Sequence, residues 1–339
     1  MIKVLVVFGS ISSEHEISCI SAGNILENID MNKYSVTKLG IDKQGEWFIY
    51  NGLNVTVKEN KWMSDNANKV KVIDIFGELK KHDVIFPIMH GKFGEDGSIQ
   101  GLFELLKLKY VGCDMEGSAI AMDKILSKQL VSTAGINIVD YIYLDKYSKL
   151  DLNDMLNDLN TNGIKFPVIV KPNKEGSSYG VTKVNNKDEL VSAIKFALEF
   201  DDKVLVEKYI QKRREIECSV LGNNDLTIST PGEIISANEF YDFDGKYNNA
   251  KSTSKIPADI SIDDIYSIKE YAEKIFKVLN LKSISRVDFF IDEEDNKIYF
   301  NEVNTMPGFT SISMYPKMLE HDGIRYSEII DKLIELALE

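Results

Sequence analysis

Cysteine is scarce in this chain of 339 residues: Cys19, Cys113 and Cys218 stand far apart, each among apolar neighbours. Such an odd and scattered set excludes a disulfide framework and points to buried thiols in a reducing compartment, with no expectation of cysteine catalysis. Positive charge is also in short supply. The 40 Lys and Arg residues against 53 Asp and Glu leave a formal charge of -13, and the lysines form no stripe, which argues against nucleic acid as a partner. An anionic substrate would have to be met by local basic residues. No apolar run reaches membrane-spanning length, and the N-terminus passes from Met-Ile-Lys into the apolar stretch Val4–Phe8 without a signal-like segment and cleavage site. No membrane partner and a cytoplasmic location are therefore expected. His15, His82 and His321 lack a zinc-binding pattern. No G-x-G-x-x-G with a later acid follows Phe8, which removes a nicotinamide-dependent dehydrogenase from consideration.

What is present is the composition of an ordinary globular protein, long enough for two or three domains with full cores. The apolar run Lys3–Phe8 ends at Gly9, and Ser10–Glu14 leads into a helix through Leu26, the strand-loop-helix start of a parallel sheet. Ser13 and Glu16 have capping-box spacing, so Ser13 is expected to cap that helix, with Glu14 in its first turn. Strands at Ser35–Ile41 and Asp83–Met89 and a helix at Ile99–Leu106 complete a doubly wound half. A second α/β unit begins near Asp114, with one helix over Ser118–Ala134, a buried strand Phe166–Lys171, a Gly/Ser loop, a helix at Lys187–Phe200 and the strand Val204–Glu207. From Tyr209 onward the pattern predicts strands at Glu215–Leu221 and Thr227–Glu233, a long polar loop from Asn238 to Ser254, a helix at Ile262–Leu279, a hairpin and a final helix at Tyr326–Leu338.

The hairpin carries the sharpest chemical signal. In the stretch from Ser285 to Asn304, apolar runs flank the polar turn Glu293–Asn296, so the two strands fold back about Asp295. That register sets Asp288 opposite Glu302 and Arg286 opposite Asn304, with all four on one face because alternate residues return to the same side. Facing carboxylates repel and need a compensating cation. Two acids with an amide oxygen suit Mg2+, which takes oxygen ligands and shares its shell with phosphates.

Other segments offer matching chemistry. Lys171-Pro-Asn-Lys-Glu-Gly176-Ser177-Ser178 follows a buried strand and has the glycine, hydroxyls and backbone donors of a phosphate-holding loop, although it is not a Walker A sequence. Lys124 and Lys128 lie four apart on one helix face. Lysines so placed are ordinarily solvated, but Lys124 near a helix start gains nothing from the macrodipole, and an anionic neighbour would rationalise it. Leu205–Ile210 ends a strand at a domain junction, where apolar walls and backbone amides could hold an adenine. His90 stands just after a strand, at the end where open parallel sheets place ligands, positioned to orient a substrate or pass a proton. The loop containing Lys246 and Tyr247 has the length of a lid, and the amides of Met306-Pro-Gly308-Phe-Thr-Ser-Ile-Ser313 could hold an oxyanion or carboxylate.

In chain order, Ser12-Ser-Glu-His-Glu-Ile-Ser18, His90-Gly-Lys-Phe-Gly-Glu-Asp-Gly-Ser-Ile-Gln-Gly101, Met122-Asp-Lys124, Lys171-Pro-Asn-Lys-Glu-Gly-Ser-Ser178, Arg214-Glu-Ile-Glu-Cys218, Phe240-Tyr-Asp-Phe-Asp-Gly-Lys-Tyr247, Arg286-Val-Asp288 and Asn301-Glu-Val-Asn-Thr-Met-Pro-Gly308 resemble the D-alanine:D-alanine ligase family of the ATP-grasp superfamily. The resemblance runs from Phe8 to the C-terminal helix. It implies an α/β chain with an ATP-grasp fold preceded by a Rossmann-like, doubly wound N-terminal domain, divided at 1–113, 114–208 and 209–339. It also implies ATP-dependent joining of two D-alanines through an acyl phosphate, for peptidoglycan precursors, in a family that commonly forms homodimers.

By motif, the resemblance assigns Asp288, Glu302 and Asn304 to two Mg2+ ions, with Mn2+ as an alternative metal. Lys124, Lys171, Ser178 and Lys246 fall to the phosphates, and Glu207, Lys208, Ile210 and Glu215 to adenine and ribose. Glu14 would pair with the ammonium of the first D-alanine, supported by Ser177 and Tyr247. Arg286 and the Gly308 amide would stabilise the oxyanion, His90 would lie near the reacting pair, and Ser313 and Met314 would line the second D-alanine's carboxylate site. Ser10 and Arg213 stand where the family usually has glycine, which bears on local turns. The chain also resembles D-alanine:D-serine and D-alanine:D-lactate ligases of the vancomycin-resistance type. Lys246-Tyr247 disfavours lactate, and Met314, where those ligases often carry a basic residue, favours D-alanine. A non-catalytic nucleotide-binding homologue would be expected to have lost a metal ligand or the lid pair, and none is lost.

Overall fold

The computed structural model describes residues 1–148, 151–235 and 253–339. The first sheet has five strands in the order Lys69–Lys71, Trp47–Tyr50, Tyr34–Ile41, Ile2–Gly9 and Val84–Ile88. Ile2–Gly9 pairs in parallel with both Tyr34–Ile41 and Val84–Ile88, as the apolar runs predict. Its alternate residues serve two cores: Val4, Val6 and Phe8 pack on one side, Leu5 and Val7 on the other. A strand buried on both faces reads as a continuous apolar run for this reason. The C-terminal helix Tyr326–Leu338 returns to the first of these cores with Ile329, Ile330, Leu333 and Ile334, tying the end of the chain to its beginning.

The helix after the first strand spans His15–Asn28, and its start differs from the expected capping box. Glu14, not Ser13, is the N-cap, and it makes no side-chain cap bond. The hydroxyl of Ser12 instead accepts from the Glu14 amide and donates to the His90 carbonyl, while Glu16 pairs with Lys43. The hydroxyl that orders this turn is thus spent on a neighbouring loop, and the Glu14 carboxylate accepts from Ser177 instead of capping its own helix.

The central sheet is antiparallel, ordered Tyr141–Asp145, Lys203–Lys208, Val168–Pro172 and Thr182–Val184. The helix expected over Ser118–Ala134 is two helices, Met115–Met122 and Lys124–Thr133, broken at Asp123, whose extended backbone and side-chain bond to the Leu126 amide cap the second. Lys124 is therefore at a helix start, as its sequence context suggested, but neither it nor Lys128 is solvated: both are buried.

In the third sheet, Arg213–Gly222 lies between Gly232–Ile235 and Ser283–Asp292, and Lys297–Asn304 forms one edge. The strand expected over Thr227–Glu233 is split into Thr227–Ile228 and Gly232–Ile235. Hairpin register agrees with the sequence reading at the four polar positions, Arg286 opposite Asn304 and Asp288 opposite Glu302. Beyond Asp288 the register shifts, and Phe289 meets Phe300, leaving Asn301 as the extra residue of a bulge. The bulge explains why Phe300 and Val303, three apart, both pack in the core under the hairpin with Val287 and Phe289. Phe289 and Phe300 are essentially fully buried, each contributing roughly 1.5–3 kcal/mol to holding the polar face in place.

Candidate functional site

The polar face of the hairpin is a compact charge cluster. Arg286 donates from Nε and Nη2 to the two oxygens of Asp288, both at 2.7 Å, a forked arrangement that fixes its plane. Glu217, across the sheet from Asp288, brings Oε2 to 3.1 Å from Arg286 Nε. The Asn304 amide donates to Asp288 Oδ2 at 3.1 Å. The compensating cation that facing acids require is thus Arg286 itself. Burial opposes its charge, but Asp288 and then Glu217 outweigh that and hold the guanidinium pKa well above its usual value. Among the described residues no three His, Cys, Asp or Glu side chains gather into one metal-binding group. Asp288, Glu302 and Asn304 are two acids and an amide, an all-oxygen donor set of the kind Mg2+ accepts.

Facing this cluster is the Gly/Ser loop. Ser177 and Ser178 adopt positive φ values of 47° and 60°, a left-handed pair of the kind that turns successive amides toward one side. The Ser177 hydroxyl donates to Glu14 Oε1, joining the loop to the first helix start. Backbone comes very close to that carboxylate: a Cβ on Gly91 would lie 2.4 Å from Glu14 Oε2, at a φ of +69° that also favours glycine. Lys124 donates to the Glu175 carbonyl at 2.7 Å and lies 3.5 Å from Glu302 Oε2, so it bridges loop and hairpin.

A third group clamps the loop that carries Gly308. The Phe309 amide donates to Ser21 Oγ, which lies 3.0 Å from His90 Nε2, and His90 Nδ1 lies 2.9 Å from the Met306 carbonyl. A carbonyl only accepts, so Nδ1 carries the proton and Nε2 accepts from the Ser21 hydroxyl. Burial lowers the His90 pKa, consistent with this neutral ring. Both ring nitrogens of His90 are thus engaged, one with the Ser21 hydroxyl and the other with the Met306 carbonyl. Glu95 completes the clamp by accepting from the Gly91 amide at 2.7 Å and the Met306 amide at 3.0 Å.

Burial, and then the charge of Glu14, push the Glu95 carboxyl up to about 8, with Arg286 acting in the opposite sense. A raised carboxyl pKa favours the fold most below the ordinary carboxylate range, and that contribution is lost as pH rises through about 8. Thermal melts between about pH 5 and about pH 9 should therefore show a Tm that falls as pH rises toward about 8 and owes no further fall to this group beyond it. Glu95→Gln, which has no proton to lose, should flatten the fall. Parallel wild-type and variant curves would count against this account.

Two adjoining cavities collect these groups. The larger, about 510 Å3, is lined by Glu14, His90, Ser177, Arg286, Asn304, Gly308, Ser313 and Met314, with Lys124 and Glu302. The smaller, about 130 Å3, is lined by Lys171, Ser178, Glu207, Lys208, Ile210, Glu215 and Asp288, and it shares Lys124, Ser177 and Glu302 with its neighbour. Every described residue to which the resemblance assigned a role lines one of the two, whereas Lys128 lines neither. Lys246 and Tyr247 lie outside the described residues. Sequence reasoning gave no part to Glu95, Ser21, Glu217 or the pairing of Lys128 with Glu207. Glu217 had a usable signal, because Glu215, Glu217 and Ser219 alternate with the buried Ile216, Cys218 and Val220 on one strand.

A Rossmann-like sheet followed by two sheets that close around a lysine- and acid-lined cleft is the architecture of an ATP-grasp protein. Residues 3–113 match the D-ala D-ala ligase N-terminus and residues 130–335 the D-ala D-ala ligase C-terminus, and the chain belongs to this ligase family. The D-alanine--D-alanine ligase of Acetivibrio thermocellus is 44% identical, over 99% of this chain and 96% of that protein. Among solved structures, the VanG D-Ala:D-Ser ligase from Enterococcus faecalis is similar with a TM-score of 0.88 and 38% identity, covering 99% of each chain. D-alanine--D-alanine ligase from Bacillus anthracis complexed with ATP is similar with a TM-score of 0.78 and 29% identity, covering 100% of this chain and 98% of that one.

Proposed function

We propose that the two cavities work as one active cleft in which the chain joins two D-alanines with cleavage of ATP, supplying D-alanyl-D-alanine for peptidoglycan synthesis. The observation that carries this reading is the convergence of Glu14, Arg286, Gly308 and the Asp288–Glu302–Asn304 face on one connected cleft. In the reaction, a carboxylate oxygen of the first D-alanine takes the γ-phosphoryl group, releasing ADP. The amine of the second D-alanine then attacks the acyl phosphate, forming the peptide bond and releasing phosphate.

Lys124, Lys171, Ser178 and Lys246 hold the phosphates, and Glu207, Lys208, Ile210 and Glu215 hold the nucleoside. Asp288, Glu302 and Asn304 would hold two Mg2+ ions, which neutralise phosphate charge when bound. Glu14, kept in place by Ser177 and Tyr247, pairs with the first D-alanine's ammonium. Arg286 and the Gly308 amide face the oxyanion that develops at the attacked carbon, with His90 holding the Gly308 loop through Met306. Ser313 and Met314 receive the second D-alanine. A division at 1–113, 114–208 and 209–339, a homodimer and a cytoplasmic setting accompany this reading. No helix of the described residues is long and apolar enough to cross a membrane.

Likeness to a D-Ala:D-Ser ligase makes the second substrate the point to test. Met314 is buried and packs with Ile234 and Met318, an apolar wall that suits a methyl group better than a hydroxymethyl. ATP-dependent phosphate release should appear with D-alanine alone, yielding D-alanyl-D-alanine, and adding D-serine or D-lactate should change neither rate nor product appreciably. A dipeptide that forms only in the mixed reaction would overturn the assignment.

A further inference from the structure

Behind the smaller cavity, two buried lysines share one buried carboxylate. Lys171 Nζ lies 2.6 Å from Glu207 Oε2, and Lys128 Nζ lies 3.0 Å from Glu207 Oε1. The Lys128 contact is poorly directed, and its Nζ has no hydrogen-bond partner among the described residues. Two cations on one anion leave an excess positive charge in a place where charge is costly unless paired. The two lysines differ in what they can reach. Lys171 lines the cavity together with Glu207, whereas Lys128 lines neither cavity, is fully buried, and has the Phe300 ring 6.0 Å from its Nζ. One cation is thus free to turn toward a ligand, and the other is walled in.

Resting on the nucleotide-binding reading above, we propose that Lys128 is a positioning residue for nucleotide binding: it stays on Glu207 and so lets Lys171 leave that carboxylate for a phosphate group. Without Lys128, any movement of Lys171 toward a phosphate would strip a buried carboxylate of its remaining close cation. The charge states fit this division. Burial pulls the Lys128 ammonium down to about 8, and Glu207 opposes that shift. Burial would raise Glu207, but Lys128 first and Lys171 second hold its carboxyl below the usual range.

Binding equilibria separate this role from simple packing. Titrations of the full chain with a non-hydrolysable ATP analogue and with adenosine compare ligands with and without phosphates. Lys128→Met should weaken the ATP analogue about tenfold or more while leaving adenosine within about twofold, because only the phosphate contact needs Lys171 to move. The double variant Lys128→Met/Glu207→Gln removes the carboxylate that would retain Lys171, so the ratio of analogue to adenosine affinity should return toward wild type. That double variant also serves if Lys128→Met alone does not fold, since its triad carries no unpaired acid. Equal weakening of both ligands by Lys128→Met, or a double variant with a collapsed ratio, would overturn the proposal. A wild-type chain that binds no ATP analogue would instead remove the nucleotide-binding reading itself.

Discussion

Glu302→Gln is expected to lower kcat on the order of 10²–10³-fold while shifting Tm by only a few degrees, roughly the scale of rate loss when one preorganised polar group is removed from an active site. The asymmetry follows from where Glu302 sits. Its side chain is 24% exposed, and its ion pair with Lys124 is long at 3.5 Å, so losing the charge costs the fold little. Gln keeps the shape and one oxygen acceptor but not the charge. The ligand face would then hold one formal acid instead of two, and a hard divalent cation binds less tightly to a less charged oxygen set. Steady-state rates across a Mg2+ series check the cause: part of the loss should be recovered at high Mg2+ if the charge serves the metal. Full activity at ordinary Mg2+ would take Glu302 out of that role.

The register behind this prediction was legible because strand periodicity is local. Apolar and polar residues alternate across a short turn, so Asp288 and Glu302 could be set opposite each other by counting. The bulge at Asn301 was not legible, since an extra residue changes no residue type and shows itself only through Phe300 and Val303 sharing a core. Lys171 and the Gly/Ser loop could be read from the end of an apolar strand. The break at Asp123 could not, because Met122-Asp-Lys124 sits inside a pattern that also suits one continuous helix; what decides it is the Asp123 cap and the Lys124 and Ile125 amides bonded to Asn173. Similarly, Glu95 and Lys128 are defined by partners distant in sequence, Met306 and Glu207. No window of neighbouring residues holds that information. The capping hydroxyl failed by one position for the same reason: Ser12 is committed to the His90 carbonyl from another part of the chain.

Arg286→Met should have the largest combined effect, removing turnover and costing roughly 3–5 kcal/mol of stability, the range for breaking one partner out of a buried ion pair. In a chain of this length that corresponds to a fall in Tm on the order of 10 °C. Arg286 is only 15% exposed, and the acids it serves, Asp288 and Glu217, are 12% and 9% exposed. Both of its forked bonds to Asp288 and its contact with Glu217 would be lost at once. Met fills the space of the alkyl stem, so the loss reports charge rather than a cavity. Arg286→Lys should fall between the two, because an ammonium supplies the charge but not the planar fork. The double variant Arg286→Met/Asp288→Asn should recover part of the Tm, having one fewer unpaired carboxylate, but none of the turnover. Mg2+ added without substrate should also raise the Tm of Arg286→Met more than that of the wild type, since a ligand bound by the folded form alone stabilises it by mass action and the variant's acids have no competing guanidinium. A variant that melts with the wild type, and whose Tm ignores both Asp288→Asn and Mg2+, would mean that Arg286 does not hold the acidic face together.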